Sequence, residues 1–490
     1  MARFQNTDDS ISSGDSPQRS PRHVRLDGRT LEGGGQLVRN ALALSALTSR
    51  PVTVDHVRGN RGRGGGLKSS HAAAVKLLAE ISGSRVIGGK VGSQQITFEP
   101  ESPADEEGSS PDITHKSSLV SLSDLIVRSE YNIRLPTPGS VFLIFQALYP
   151  YLLHVGSQAA ANCVKVTITG GTNGTSAPSY DYASQVMAPN FARLGLPPLS
   201  LELHRRGWTI GPIEMGSVSF YIHPLSSLVN ERGISETYFP RINVMEHERG
   251  KITKIDLTVL APDIELPDER KTIRNYIEKE TRRSLRKTFQ SMDLSIFDVS
   301  HEDHSDLFNQ DRLVPINTHT FEPTNHASQG YVLLVAHTST GFRIGHDALI
   351  GSSKLQGPPK TKHKNTKKVS RDQNKPQKNS QKESEKIAGC IDELVAGFVL
   401  ELVDHELVDK EASKSRYGRR SVFDTHMRDQ LVVFEALGEA HGKGGPISQK
   451  HEVKEDEQYW SLHTKTAQWV CQKMLLEPTE PSQASKSARK

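Results

Sequence analysis

The chain has 490 residues, 35% hydrophobic and 24% charged, which gives length and apolar content for more than one ordinary domain and excludes a wholly disordered polypeptide. No stretch reaches the roughly 18 uninterrupted apolar residues of a membrane span; the best candidate, Val141 to Val155, is broken by Gln146, Pro150 and His154. The formal net charge is only +4, yet residues 357–386 hold ten Lys and Arg against three acids, so any basic binding surface on the folded body must be local.

Residues 1–22 are rich in Ser, Asp and Pro and predict a disordered start, with neither the basic beginning nor the apolar core of a secretory signal. Val24 to Leu26 predicts a short strand, followed by a glycine-rich turn and a helix over Gln36 to Leu47. Pro51 to Val57 alternates as a strand, Ser70 to Ile81 has helical spacing, and Val86 to Ile87 and Gln95 to Phe98 are short and β-like, which completes a β-α-β-α-β-β unit. Residues 100–118 predict a disordered insertion. A similar unit is expected over Val141 to Gly195 and another from Tyr331 to Leu476, giving an α+β fold of repeated modules. Gly250 to Gln290 interrupts that order, with alternating Ile252, Ile255, Leu257 and Val259 and then a charged helix from about Asp268, and predicts an inserted module. Residues 300–329 predict a long loop, since His301, His304, His319 and His326 show no convergent metal spacing. The basic run 357–386 and the tail 477–490 predict disorder. Three cysteines, Cys163, Cys390 and Cys471, lie in no metal spacing and fit a reducing compartment.

Four segments carry candidate chemistry. Leu26 to Arg39 runs from a strand through Gly33-Gly34-Gly35 into a helix, an arrangement that offers backbone N–H groups to an anion or is simply a tight turn, since it lacks the Gly-Lys-Ser/Thr of a nucleotide loop. Arg58 to Lys68 sets arginines among glycines just before His71, suited to forked bonding of phosphate oxygens or to a solvated loop. In Phe423 to Leu431 the spacing puts His426 and Asp429 on one helical face, a site or a plain helix surface. Trp460 to Thr466 alternates like a strand running into a helix from Ala467, with His463 near the junction, a position where a lone histidine is usually structural.

In this order, Leu26 to Arg39, Ala41 to Thr48, Gly170-Gly171-Thr172 with Ala177-Pro178 and Asp181-Tyr182, Asp424 with Asp429-Gln430-Leu431, and Leu462 to Thr466 resemble the RNA 3′-terminal phosphate cyclase family across about Val24 to Leu476. The resemblance implies cyclase-like repeats over 23–240, a smaller α/β domain inserted at 241–345, and a C-terminal cyclase-like repeat at 346–476 that carries the nucleophile. It implies ATP-dependent conversion of an RNA 3′-phosphate end to a 2′,3′-cyclic phosphate through a covalent histidine–AMP, giving AMP and pyrophosphate, with a divalent metal such as Mg²⁺. By the same resemblance His463 is the adenylated nucleophile, and Glu32 binds metal and ATP. Gln146, Asp429 and Gln430 belong to the ATP site; Arg39, Arg58, Arg61 and His71 hold RNA phosphate. The implied partner is RNA with a 3′-phosphate, without a membrane, in the nucleus or also the cytoplasm. The chain departs from the family pattern at Ser70, where glutamine is usual, and over Trp208 to Gly216. The alternative is a noncatalytic relative acting in ribosomal RNA processing and ribosome assembly.

Overall fold

The computed structural model describes residues 23–62, 64–101, 119, 127–159, 162–229, 235–298, 314–350, 383–403, 422–441, 457 and 460–476. The segments expected to be disordered, apart from 100–101 and 383–386, lie outside these residues, as do His301 and His304.

The first unit is the expected β-α-β-α-β-β. Strand β1 (Val24–Asp27) leads to helix α1 (Gly35–Thr48), then β2 (Val52–Asp55), α2 (Ser69–Ser82), β3 (Arg85–Ile87) and β4 (Ile96–Glu99). The sheet order is β1-β2-β4-β3, with β1 parallel to β2 and β4 antiparallel to both its neighbours. Parallel β1 and β2 need a crossover, and α1 supplies it.

A second unit repeats the plan, beginning earlier than Val141. Strand β5 (Glu130–Arg134) precedes α3 (Val141–Val155), β6 (Val164–Gly170), a helical run over 180–193 made of α4 (Tyr180–Tyr182), a π turn (Ala183–Met187) and α5 (Ala188–Arg193), then β7 (Leu199–Arg205) and β8 (Gly216–Ile222). Its order, β5-β6-β8-β7, matches the first sheet strand for strand. Strand β6 alternates buried and half-buried residues, so Val164, Val166 and Ile168 face the core while the intervening residues do not. Helix α1 is apolar nearly all round because it packs on α2, α3 and β2 at once. A short hairpin, β9 (Ser227–Val229) with β10 (Ser235–Thr237), follows.

The inserted unit is larger than its pattern suggested. Strand β11 (Ile252–Pro262) and helix α6 (Ile273–Phe289) are the expected strand and charged helix, but Ile316–Thr324 is a strand, β12, parallel to β11 and on the sheet edge, within the stretch expected to be loop. Nor does Tyr331 open a third repeat: β13 (Tyr331–Thr338) and β14 (Arg343–Leu349) complete the sheet β12-β11-β13-β14. Helix α7 (Glu383–Leu402) packs with α6 and β14 in the same apolar cluster, and its first four residues are the last four of the basic run. The expected boundary at 345 therefore falls inside β14. What remains is α8 (Thr425–His441) and α9 (Leu462–Cys471), which pack on each other, α9 also against α1. A single apolar cluster joins both repeats to α8 and α9. Among the described residues no helix is long and apolar enough to cross a membrane.

Candidate active site

The site forms where the β1–α1 loop, from the start of the chain, meets α8 and α9 from its end. The loop turns through Gly33, at φ +59°, and enters α1 at Gly35. A Cβ on Gly34 would collide with the Glu32 carboxylate, and one on Gly35 with His71 Nε2, so glycine at these two positions lets both side chains approach the mouth of α1.

Glu32 has 7% of its side chain exposed. Its backbone N–H donates to Thr466 Oγ1 of α9 at 3.1 Å, Arg61 pairs with its carboxylate, and His463 Nδ1 lies 4.0 Å from Oε2. Neither carboxylate oxygen accepts a well-formed hydrogen bond.

His463 is the second residue of α9, not the end of a strand. Ser461 caps the helix by accepting from the Thr464 N–H at 2.9 Å, a local hydrogen bond that outweighs the two-residue alternation. The imidazole is held by Gln36, the second residue of α1. Gln36 Nε2 donates to the Asp429 carbonyl at 3.4 Å, which turns Oε1 toward His463 Nδ1 at 3.0 Å. An amide oxygen only accepts, so Nδ1 carries the proton and Nε2 keeps its lone pair. Burial lowers the His463 pKa below its ordinary value, with Arg39 and Arg61 adding to the effect and Asp429 opposing it. The ring is therefore neutral near pH 7, with a lone pair free on Nε2.

Asp429 and Gln430 lie in the first turns of α8. Asp429 Oδ1 accepts from Ser461 Oγ at 2.6 Å and from Thr464 Oγ1, which fastens the start of α9 to α8. Gln146 of α3 donates from Nε2 to Gln430 Oε1 at 2.6 Å. Gln36, Arg39, Gln146, Asp429 and Gln430 line one narrow cleft, walled on its apolar side by Phe145, Tyr149 and Phe434.

Cations crowd the other side of Glu32. Arg39 is pushed down to about 10 by burial alone. Arg58 is buried, its Nη1 donating to the Gly66 carbonyl at 3.1 Å, and burial lowers its pKa too. Lys68 is lowered by burial and by the nearby Arg58 and Arg61. Burial, then Arg39, Arg58 and Lys68, push His71 down to about 3. His71 Nδ1 accepts the Lys68 backbone N–H at 3.3 Å, which leaves the proton on Nε2 and makes the neutral ring a donor toward the arginines' side of the site. Arg39, Arg58, Arg61 and Lys68 together form a local positive field, felt by Lys68 and His71 and suited to an anion of several charges.

All nine residues expected in the site lie in this region: Glu32, Arg61 and His463 around one carboxylate; Arg39, Gln146, Asp429 and Gln430 around the cleft; Arg58 and His71 beside Lys68. Sequence reasoning missed Gln36 as the partner of His463, together with Lys68, Ser461 and Thr466. Gln36 follows directly on the glycine run, and that adjacency was the available signal. Among the described residues no cluster of three or more His, Cys, Asp or Glu could hold a metal. Glu32, a buried carboxylate that pairs with Arg61 but accepts no well-formed hydrogen bond, fits the donor chemistry of a hard cation.

A family model described as RNA 3′-terminal phosphate cyclase matches residues 30–478. A protein of that name from Koribacter versatilis is 33% identical over 205 residues, covering 42% of this chain and 49% of the relative. Others from Caldivirga maquilingensis and Desulfurococcus amylolyticus are 36% identical over 186 residues and 34% over 184, each covering 38% of this chain and 44% and 43% of the relative. The chain thus spans about half the length, or somewhat less, of the curated relatives it matches.

Proposed function

The chain belongs to the RNA 3′-terminal phosphate cyclase family, and on that premise we propose that it converts an RNA 3′-phosphate to a 2′,3′-cyclic phosphate at the expense of ATP. The observation that carries this reading is the Gln36 lock on His463, which holds the proton on Nδ1, the nitrogen 4.0 Å from Glu32, and leaves Nε2 its free lone pair. In the first step His463 Nε2 attacks the α-phosphorus of ATP, a P–N bond forms, and the P–O bond to pyrophosphate breaks. An oxygen of the RNA 3′-phosphate then attacks the same phosphorus, the P–N bond breaks, and the imidazole returns neutral. The ribose 2′-OH finally attacks the terminal phosphate, loses its proton to solvent, and expels AMP. Adenylation is needed because an unactivated phosphate monoester offers only a very poor leaving group. Gln146, Asp429 and Gln430 supply the polar wall for ATP, and Arg39, Arg61 and the His71 donor offset charge where the polyphosphate and the RNA end meet. A divalent cation, Mg²⁺ by preference for phosphate oxygens, would be held by Glu32 and would neutralise phosphate charge.

Purified protein incubated with Mg²⁺ and ATP labelled at the α-phosphate is expected to form acid-labile protein-linked AMP, and His463→Ala to form none. Absence of label from both proteins would favour the noncatalytic ribosome-assembly reading instead. A nuclear location belongs to the same proposal, supported by the basic run in 357–386. A fluorescent fusion lacking that run is expected to lose nuclear accumulation, and unchanged accumulation would count against it.

A further inference from the structure

The inserted sheet reaches the candidate site through one buried carboxylate. Asp424, fully buried, stands just before α8. Its Oδ1 accepts from the Met427 N–H of α8 at 2.9 Å and from Tyr182 Oη of α4 at 2.6 Å. Its Oδ2 accepts from the Gly345 N–H of β14 at 2.9 Å. Position 345 has no room for a side chain, since a Cβ there would press on Tyr182 and Val186. Glu401 of α7 reinforces the junction by accepting from Thr425 N at 3.3 Å and Thr425 Oγ1 at 2.8 Å. Burial and the nearby Glu401 raise Asp424 to about 6, the bonds from Gly345 and Tyr182 opposing.

Capping α8 requires a single acceptor, and Ser, Thr or Asn would provide it. The second oxygen of Asp424 is instead committed to a backbone donor of the inserted sheet. Little more than one helical turn further on, α8 presents Asp429 and Gln430 to the cleft. We propose that Asp424 is a positioning residue: by joining α8 to β14 it fixes the orientation of the turn that carries Asp429 and Gln430, so the inserted sheet sets the geometry of a cleft that it does not line. This rests on the reading of that cleft as the ATP site.

Asp424→Asn separates the two roles. The single oxygen of Asn can still cap Met427 and accept from Tyr182, while its Nδ2 then faces the Gly345 N–H, donor against donor. The variant is expected to raise the ATP concentration for half-maximal AMP labelling about tenfold, with the rate at saturating ATP changed by no more than about twofold. Amide hydrogen exchange at Gly345 and over residues 427–430 should quicken about tenfold together. Tyr182→Phe, which leaves the Gly345 bond intact, should change the ATP requirement by less than about threefold. A variant that melts lower but keeps wild-type ATP dependence and exchange has lost stability without disturbing the cleft, and the inference is then wrong. If the wild type takes no label, the functional reading fails, while exchange still decides the link between α8 and β14. If Asp424→Asn does not fold, wild-type exchange decides: Gly345 and Met427 should open with one common free energy, and independent opening overturns the inference.

Discussion

His71 shows how a single buried residue ties stability to pH. Its ordinary pKa of 6.5 falls to about 3 in the fold, so the unfolded chain takes up this proton first as pH drops. The stability held by the neutral ring is fully present above pH 6.5 and is lost from there down to about pH 3, at ~1.4 kcal/mol per pH unit. Urea unfolding of the wild type is therefore expected to lose about 1 kcal/mol more than His71→Gln between about pH 7 and about pH 5.5. Equal pH slopes for the two proteins would show that the ring is not neutral by burial. The same scale explains why the residue types of the site were legible and one partnership was not. Glu32, His463 and the arginines belong to recognisable motifs, whereas the hydrogen bond from His463 to Gln36 joins positions 427 apart in sequence. No local pattern encodes such a pair.

Among the elements, helices followed from their apolar spacing: α1, α2 and α8 bury the stripes that the sequence displays. Strand β12 did not, because it is an edge strand whose residues are mostly exposed, so selection for alternating apolar side chains is weak there. The repeat unit expected from Tyr331 does not form, because β13 and β14 extend the sheet of β11 instead. The partner of β13, β11, lies more than fifty residues earlier, and pairing across that distance is set by tertiary packing of residues such as Leu257 and Leu334, not by neighbours in sequence; β14 then pairs with β13. At α9 two local signals competed. The alternation of Trp460, Leu462 and Thr464 imitates a strand, and the Ser461 cap with its bond from Thr464 decides for helix.

The molecule as a whole is held in register by a polar tie as well as its apolar core. Arg206, beyond the end of β7, donates from Nη1 and Nη2 to Asp181 at 2.8 and 3.1 Å and from Nε to Glu322 of β12 at 2.6 Å, joining a repeat to the inserted sheet. Asp181 is 2% exposed and Glu322 half-exposed, so the two bonds differ in worth. Arg206→Met strands a buried carboxylate and is expected to destabilise by ~3–5 kcal/mol; Glu322→Gln should cost less than ~1 kcal/mol. Guanidinium unfolding of both variants checks this, and equal losses would show that burial of Asp181 is not what matters. Glu32 and His463 lie 4.0 Å apart at opposite ends of the described chain. During synthesis the N-terminal repeat can therefore emerge and fold while the imidazole is still unmade. A ribosome that stalls, or a message cut short, yields a polypeptide that carries the glycine loop, the arginines and the carboxylate but lacks both the imidazole and the Thr466 hydroxyl that bonds Glu32. On the proposed function, completion of translation is then the arming event, since a shortened product has nothing to receive an adenylyl group.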